Sequence, residues 1–231
     1  MLHLILADAE LETVPPEIAS DRTIRWQARR KGRRPVELLL DSNYHYVAMR
    51  RLPEADRRGR PDIVHLCLLL ALDSPLNREG LLRLYIHTRH DKLVTVDPAT
   101  RIPRAQNRFA GLLEQLFLTG AVPPERPLLR IEDSSLPDIV RRIGAARVIT
   151  FTERGKRKPC SELFRGLSRD DEVCVIVGAF PHGDFRSDVA KLSDELVCID
   201  PEKLEAATVA TRAICAYEEA LSIQRIRLGV S

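Results

Sequence analysis

The chain has 231 residues, 44% of them hydrophobic and 30% charged, with a net charge of only +3. That is enough material to bury a substantial core. No apolar run approaches the ~20 residues a helix needs to cross a bilayer, so no membrane-spanning helix is expected.

The five cysteines (Cys67, Cys160, Cys174, Cys198, Cys215) are widely spaced and form no CxxC or Cys/His cluster. This argues against zinc and for free thiols in a reducing, cytoplasmic setting. The basic residues are gathered rather than scattered. Arg22, Arg25, Arg29, Arg30, Lys31, Arg33 and Arg34 form one group, and Arg50, Arg51, Arg57, Arg58 and Arg60 a second. Arg154, Lys156, Arg157 and Lys158 form a third, in a stretch that reads as a loop. Such groups are either solvated faces or the footprint of a phosphate-rich partner, since the arginine fork grips phosphate in a way lysine cannot copy.

In chain order, 2–8 (LHLILAD) reads as an opening buried strand, with no basic leader ahead of it to suggest a signal peptide. The basic segment around Trp26 is expected to be partly helical, ended by Gly32 and Pro35. Residues 36–41 (VELLLD) read as a second strand and 44–52 as a short helix. Pro61 suits the first turn of a helix running through Leu72. Residues 81–88 and 92–97 flank His90-Asp91 as a β-hairpin inserted on the sheet, and 104–118 returns to helical period. Strands are then expected at 128–132, 147–151, 173–177 and 195–200, with helices at 136–144, 160–167, 185–192 and 204–224. Strands alternating with helices predict a mostly parallel sheet covered on both faces, in one domain spanning 1–231.

The unbroken apolar run 173–177 marks a strand buried on both faces, and Gly178 and Gly183 bracket a tight loop at its carboxyl end. Ligands of open α/β sheets bind beyond such strand ends. The loop has neither the lysine of a P-loop nor the GxGxxG spacing of a dinucleotide site. Loops after Thr150, after Val177 and over 197–202 converge on one crevice if their strands are neighbours. His182 reads either as a hydrogen-bonding group there or as part of a turn.

Two further constellations stand out. In Arg60-Pro61-Asp62, proline fixes the backbone between a cation and an anion, and Asp62 either orients Arg60 toward a substrate or favours a helix N-terminus. Arg101, Arg104 and Arg108 stand at spacings that gather them at a helix start, either to grip successive phosphates or as solvated arginines. No Ser/His/Asp set, paired catalytic carboxylates or metal-ligand cluster is visible in the sequence.

The stretches RPDIVHLCLLLALDSPLN (60–77), VDPATRIPRAQNRFAGLLEQL (96–116) and VGAFPHGDF (177–185) resemble the Nep/Emg family, in its archaeal form, over nearly the whole chain. That family comprises pseudouridine N1-methyltransferases of small-subunit ribosomal RNA, within the SPOUT superfamily. The resemblance implies an α/β fold with a C-terminal trefoil knot over about 147–231, S-adenosyl-L-methionine as cofactor, and a homodimer acting in ribosome biogenesis, with assembly proteins as further partners. By that resemblance Gly178, Gly183 and the loop Val197, Cys198, Ile199, Asp200, Pro201 and Glu202 hold the cofactor, largely through backbone groups, with Thr150 at the first knot loop. Arg60, Arg101, Arg104 and Arg108 contact RNA, and Arg60 and Asp62 form the catalytic pair. Some relatives carry Ser-Asn-Tyr-Pro-Leu where this chain has Asp200-Pro201-Glu202-Lys203-Leu204, so side-chain contacts in that loop differ while backbone contacts carry over. The competing expectations are a non-catalytic RNA-binding assembly factor and a methyltransferase of this fold acting on transfer RNA.

Overall fold

The computed structural model describes residues 1–230. In chain order it contains β1 (Leu2–Ala9), α1 (Arg22–Lys31), α2 (Ser42–Met49), α3 (Pro61–Asp73), α4 (Pro75–Arg78), β2 (Leu82–Thr88), β3 (Lys92–Val96) and α5 (Gln106–Thr119). The remainder comprises β4 (Ala121–Val122), β5 (Leu129–Asp133), α6 (Leu136–Ile143), β6 (Arg147–Arg157), α7 (Cys160–Leu163), β7 (Val173–Gly178), α8 (Val189–Leu192), β8 (Glu195–Cys198), α9 (Ala206–Ala220) and α10 (Ile223–Leu228).

All strands join one eight-stranded sheet in the order β4-β5-β3-β2-β1-β7-β6-β8. The five from β2 to β8 run parallel, and β3, β5 and β4 extend that sheet antiparallel. This is the mostly parallel α/β architecture expected from the alternating pattern. The 81–97 hairpin is built into the sheet itself, β2 pairing parallel with β1 along its length.

β1 is central and buried at every residue. Its alternation divides the two faces. Leu2, Leu4 and Leu6 join the large core under α3, α5 and α9, while Ile5 and Ala7 join a second core with Leu136 and Ile139 of α6 and Val189 of α8. A third, smaller core of Ile18, Ile24, Ala28, Leu38, Leu40 and Met49 holds α1 and α2 to the flank of the sheet.

Five expectations change, the first being that only Cys160–Leu163 of the expected 160–167 helix is helical. Residues 36–41 are not a strand: Pro35–Glu37 is a short 3-10 turn closed by Arg34 and Glu37, and Leu39 makes only an isolated bridge to Thr13. The alternating leucines there serve two cores, Leu39 the large one and its neighbours Leu38 and Leu40 the small one, which mimics a strand's period. Residues 154–158 are not a loop, because β6 runs to Arg157 and pairs with β8 a second time after a register shift. A Cβ at Gly155 would lie 2.4 Å from the Val197 backbone, so that second approach requires glycine. Of 185–192 only Val189–Leu192 is helical, since the Asp8 carboxylate accepts the backbone N–H groups of Arg186 and Ser187 at 2.7 and 3.0 Å. The expected 204–224 helix breaks after Ala220, and Ser222 at φ +52° turns the chain into α10.

Candidate active site

β7, β6 and β8 are neighbours, so the loops beyond their carboxyl ends meet. They enclose a cavity of about 370 Å³ between the β6 bulge at 152–154, the 178–185 loop and the 197–206 segment that enters α9. Phe151, Val177, Phe180, Val197, Ile199 and Leu204 supply apolar wall; Arg154, Asp184, Lys203 and Glu205 supply charge around it. Small-molecule sites have this size and this mixture. Two polar contacts bind the loops to one another. Arg154 pairs with Asp184 at 2.8 Å, and the Lys203 ammonium donates to the Pro181 carbonyl at 2.9 Å.

The two glycines have separate reasons to be there. A Cβ at Gly178 would stand 2.6 Å from the Phe180 ring, which packs edge-on against Phe185. Gly183 has φ +84°, a backbone conformation that disfavours other side chains, and lies against the Arg57 guanidinium.

Gly178, Gly183, Val197, Cys198, Ile199, Asp200 and Glu202 all line the cavity. Pro201 is exposed on the loop between two of them and contributes no lining. The Asp200 carboxylate accepts the Glu202 N–H at 3.0 Å, shaping the turn from within. Thr150 also contributes no lining: its side chain is fully buried and its hydroxyl bonds Ser193 at 2.6 Å, so the wall from β6 begins one residue later. His182 lies outside the lining, 3.3 Å from Asp56.

Beneath the 178–185 loop lies a buried charge network. Arg57 donates through Nε to Glu10 at 2.6 Å and through Nη1 to the Asp184 carbonyl at 2.8 Å, and stacks 4.1 Å from the Phe180 ring centroid. Arg89 completes Glu10. Arg58 grips Glu12 with both arms of its fork, at 2.7 and 2.6 Å, and His90 adds a contact at 3.1 Å. Asp8, near the end of β1 and just before these two carboxylates, holds Ser187 through its hydroxyl as well as its N–H. Burial pushes the Glu12 carboxyl upward in pKa, but hydrogen bonds from Arg58 and His90 outweigh it and hold the group at about 2. Burial likewise opposes ionisation of Asp8, and hydrogen bonds from His87, Ser187 and Arg186 bring it to about 2. Two members of the second arginine group, Arg57 and Arg58, are thus buried structural ions rather than a phosphate-facing surface. The signal that could have found the network is the alternation Asp8, Glu10, Glu12 continuing straight from a buried strand.

Arg60 and Asp62 form a two-armed pair, Nε to Oδ1 at 2.9 Å and Nη2 to Oδ2 at 2.7 Å, with roughly a third of each side chain open to solvent. The bond to Asp62 raises the Arg60 pKa, so the guanidinium is permanently charged. The pair is tied to the cavity by backbone. The Arg60 N–H donates to the Glu10 carbonyl, and the Glu10 N–H to that of Ala179, next to Gly178. Glu205 of the cavity also contributes to the field at Arg60.

Arg101, Arg104 and Arg108 are exposed. Only Arg108 lies within α5, which starts at Gln106; Arg101 and Arg104 precede it on the connecting loop. His65 of α3 bonds the Pro103 carbonyl at 2.7 Å and stacks on Phe109 with ring centroids 4.4 Å apart. That contact fixes the loop between the two arginines.

The EMG1/NEP1 methyltransferase family model matches residues 4–218. The chain belongs to that family and is a methyltransferase. Among relatives, it is 45% identical to the "Ribosomal RNA small subunit methyltransferase Nep1" of Thermococcus kodakarensis, covering 96% of this chain and 100% of the relative. The protein of the same description from Pyrococcus furiosus is 45% identical, over 94% and 96% of the two chains. Among solved structures, Archaeoglobus fulgidus Nep1 bound to S-adenosylhomocysteine superposes with a TM-score of 0.83 at 38% identity, covering 94% of this chain and 97% of that one. Membership accounts for the parallel sheet and for a cavity at its strand ends.

Proposed function

We propose that this chain methylates the N1 nitrogen of a pseudouridine in an unpaired loop of small-subunit ribosomal RNA, in ribosome biogenesis, with S-adenosyl-L-methionine as methyl donor. The observation that carries the reading is the placement of the paired Arg60 and Asp62 two backbone hydrogen bonds, through Glu10, from the 178–185 loop of the cavity. The site suits that donor. Its apolar wall matches an adenine face, Arg154 and Lys203 match a carboxylate, Asp184 and Glu205 match an ammonium, and Gly178 and Gly183 put backbone without side chains on the lining. When bound, the donor supplies an electrophilic methyl group on a sulfonium.

The chain's own residues do the rest. The network under Arg57 holds the loop in place before binding, so little ordering remains to be done at the moment of reaction. Arg60, permanently charged, favours the uracil ring as its N1 gives up a proton to solvent water at this partly open pair and takes the methyl group in its place, and Asp62 keeps the guanidinium aimed. Pseudouridine presents a free N1–H, the nitrogen that in uridine is bonded to the ribose, and an unpaired base is splayed out at low cost. The single domain 1–231, with 147–231 as its knotted part, and the homodimer belong to the same proposal.

The test is mass spectrometry of a short stem-loop RNA after incubation with protein and S-adenosyl-L-methionine, its loop base being either pseudouridine or uridine. The expected result is one methyl group gained by the pseudouridine form alone. Methylation of the uridine form overturns the base assignment. RNA binding without methylation of either form favours an assembly factor.

A further inference from the structure

The basic helix α1 finds no use in the reaction, yet it borders a second cavity. This space, about 310 Å³, lies between α1, α2 and the first turns of α5, with Trp26, Arg30, Asp41, Tyr44, Asn107 and Glu114 in its lining. We propose that it receives an unpaired nucleobase of the same RNA, next in line to the target base, stacked on Trp26. The inference rests on the RNA-methyltransferase reading.

Several observations converge. Trp26 is 57% exposed and Tyr44 56%, two large aromatics at one opening. Their exposure is not a by-product of folding the helix. Ile24 and Ala28 are the residues α1 buries in the small core. Arg30, one turn beyond Trp26, lies 4.7 Å from the indole centroid, so the platform is already braced by a cation–π contact. The walls also carry groups that match a base edge. Glu114 is buried, accepting from Lys31 at 2.6 Å and from the Leu39 N–H at 3.2 Å, and Asp41 accepts from Gln106 at 3.3 Å. Aromatic faces with polar groups at the rim are how unpaired bases are held.

Charge and continuity choose RNA over a protein partner. Arg22, Arg25, Arg29 and Arg30 of α1 are all exposed, and no residue of that helix is acidic. Asn107 of the lining falls between Arg104 and Arg108. Asp41 of the lining feels the charge of Asp62, the partner of Arg60. The second cavity therefore continues the surface that begins at the active site. A strand gripped by Arg104 and Arg108 reaches it without leaving basic ground.

Trp26 is the chain's single tryptophan, so its fluorescence reports on this cavity alone. The experiment titrates the protein with the stem-loop RNA, reading Trp26 emission in one series and the anisotropy of an end-labelled RNA in another, with methyl transfer measured on the same RNA. Quenching that saturates over the same range as the anisotropy is expected, as is its loss when one loop nucleotide beside the target is made abasic. Trp26→Ala is expected to weaken RNA binding about tenfold, with Trp26→Phe closer to the parent and S-adenosylhomocysteine affinity unchanged in both. The parent's quench needs no substitution, so a poorly folded variant does not remove the test. RNA that binds and is methylated with unquenched emission, or an unchanged affinity in a folded Trp26→Ala chain, overturns this inference and leaves the methyltransferase reading intact. No RNA binding and no methyl transfer overturn that reading and this one with it.

Discussion

Arginine does two opposite things on the two sides of Arg60. The side chains of Arg57, Arg58 and Arg89 are buried and paired with Glu10 and Glu12, beneath the 178–185 loop. Arg101, Arg104 and Arg108 lie open on the α5 side. The buried set has already exchanged water for carboxylates and cannot respond to a ligand without breaking an ion pair. The exposed set keeps its charge for a partner. Arg60 stands between them in behaviour, paired with Asp62 but a third open. A charge count cannot separate these roles; burial does.

The sharpest way to break the comparison is Arg57→Ala. It leaves Glu10 buried with Arg89 as its remaining cation and releases the Asp184 carbonyl and the Phe180 ring together. Removing one partner of a buried ion pair costs about 3–5 kcal/mol. Denaturant unfolding should show that loss, and calorimetry should show S-adenosylhomocysteine affinity falling with it. Arg57→Lys should recover part of the stability but little of the loop geometry, because an ammonium lacks the fork and the stacking face. If Arg57→Ala bound the cofactor normally, the network would not be what holds the loop.

Acid should act on the buried side first. Asp8 and Glu12 ionise at about 2 in the folded chain, against ordinary values of 3.8 and 4.5. Their stabilisation is therefore complete above those ordinary values and is lost as pH falls toward 2. Each group is nearly solvent-free and contributes roughly 2–3 kcal/mol by this linkage. Thermal melts between pH 6 and pH 2 should show most of the decline below about pH 4.5, and Glu12→Gln should flatten part of it. A stability curve flat across that window would mean that folding leaves these carboxyl pKa values where they are in the unfolded chain.

What could be read from the sequence follows the range of the interactions. β7 is an unbroken apolar run and β1 a largely apolar one interrupted by His3, the 81–97 hairpin turns at His90-Asp91, and the Pro61 helix start is local; all are present in the structure. The cavity residues Gly178, Gly183 and 197–200 were legible for the same reason, as loops directly after apolar strands. The misreadings lie where distant residues decide. Ser187 is captured by Asp8 across 179 positions, which keeps 185–188 out of a helix. Arg57 meets Glu10 across 47 positions, so a group that looked like a phosphate-facing surface is partly interior. Leu39 alternates with neighbours that belong to a different core, and no local pattern distinguishes that from a strand.

Asp62→Asn tests the residue pair between the two regions. It keeps shape and one acceptor oxygen but removes the charge that aims Arg60. If Asp62 positions Arg60 for the reaction, single-turnover methyl transfer at saturating RNA should fall roughly ten- to a hundredfold, about 1.4–2.8 kcal/mol of barrier. RNA and cofactor affinity should change far less. Asp62→Glu should restore part of the rate, which a purely structural role at the α3 start would not require. Full activity in Asp62→Asn would remove Asp62 from the chemistry, both as a proton acceptor and as the group that aims Arg60.

The smallest effect belongs to the exposed side, and its form matters more than its size. Arg104 has a free, solvated guanidinium on a loop that His65 anchors through Pro103. Arg104→Ala should leave the melting temperature and S-adenosylhomocysteine affinity unchanged while weakening RNA binding only several-fold. The informative quantity is the salt dependence. A side chain that neutralises one phosphate releases about one counterion, so the slope of log affinity against log salt should become shallower by roughly 0.7–1 for Arg104→Ala. A conservative change in the buried set, Arg57→Lys, should leave that slope alone even where it lowers affinity, because the displaced charge never faced a phosphate. Equal slopes for the parent and Arg104→Ala, with affinity lost all the same, would mean that this arginine shapes the loop rather than meeting the RNA backbone. The division between buried and exposed arginines would then have to be drawn elsewhere along 101–108.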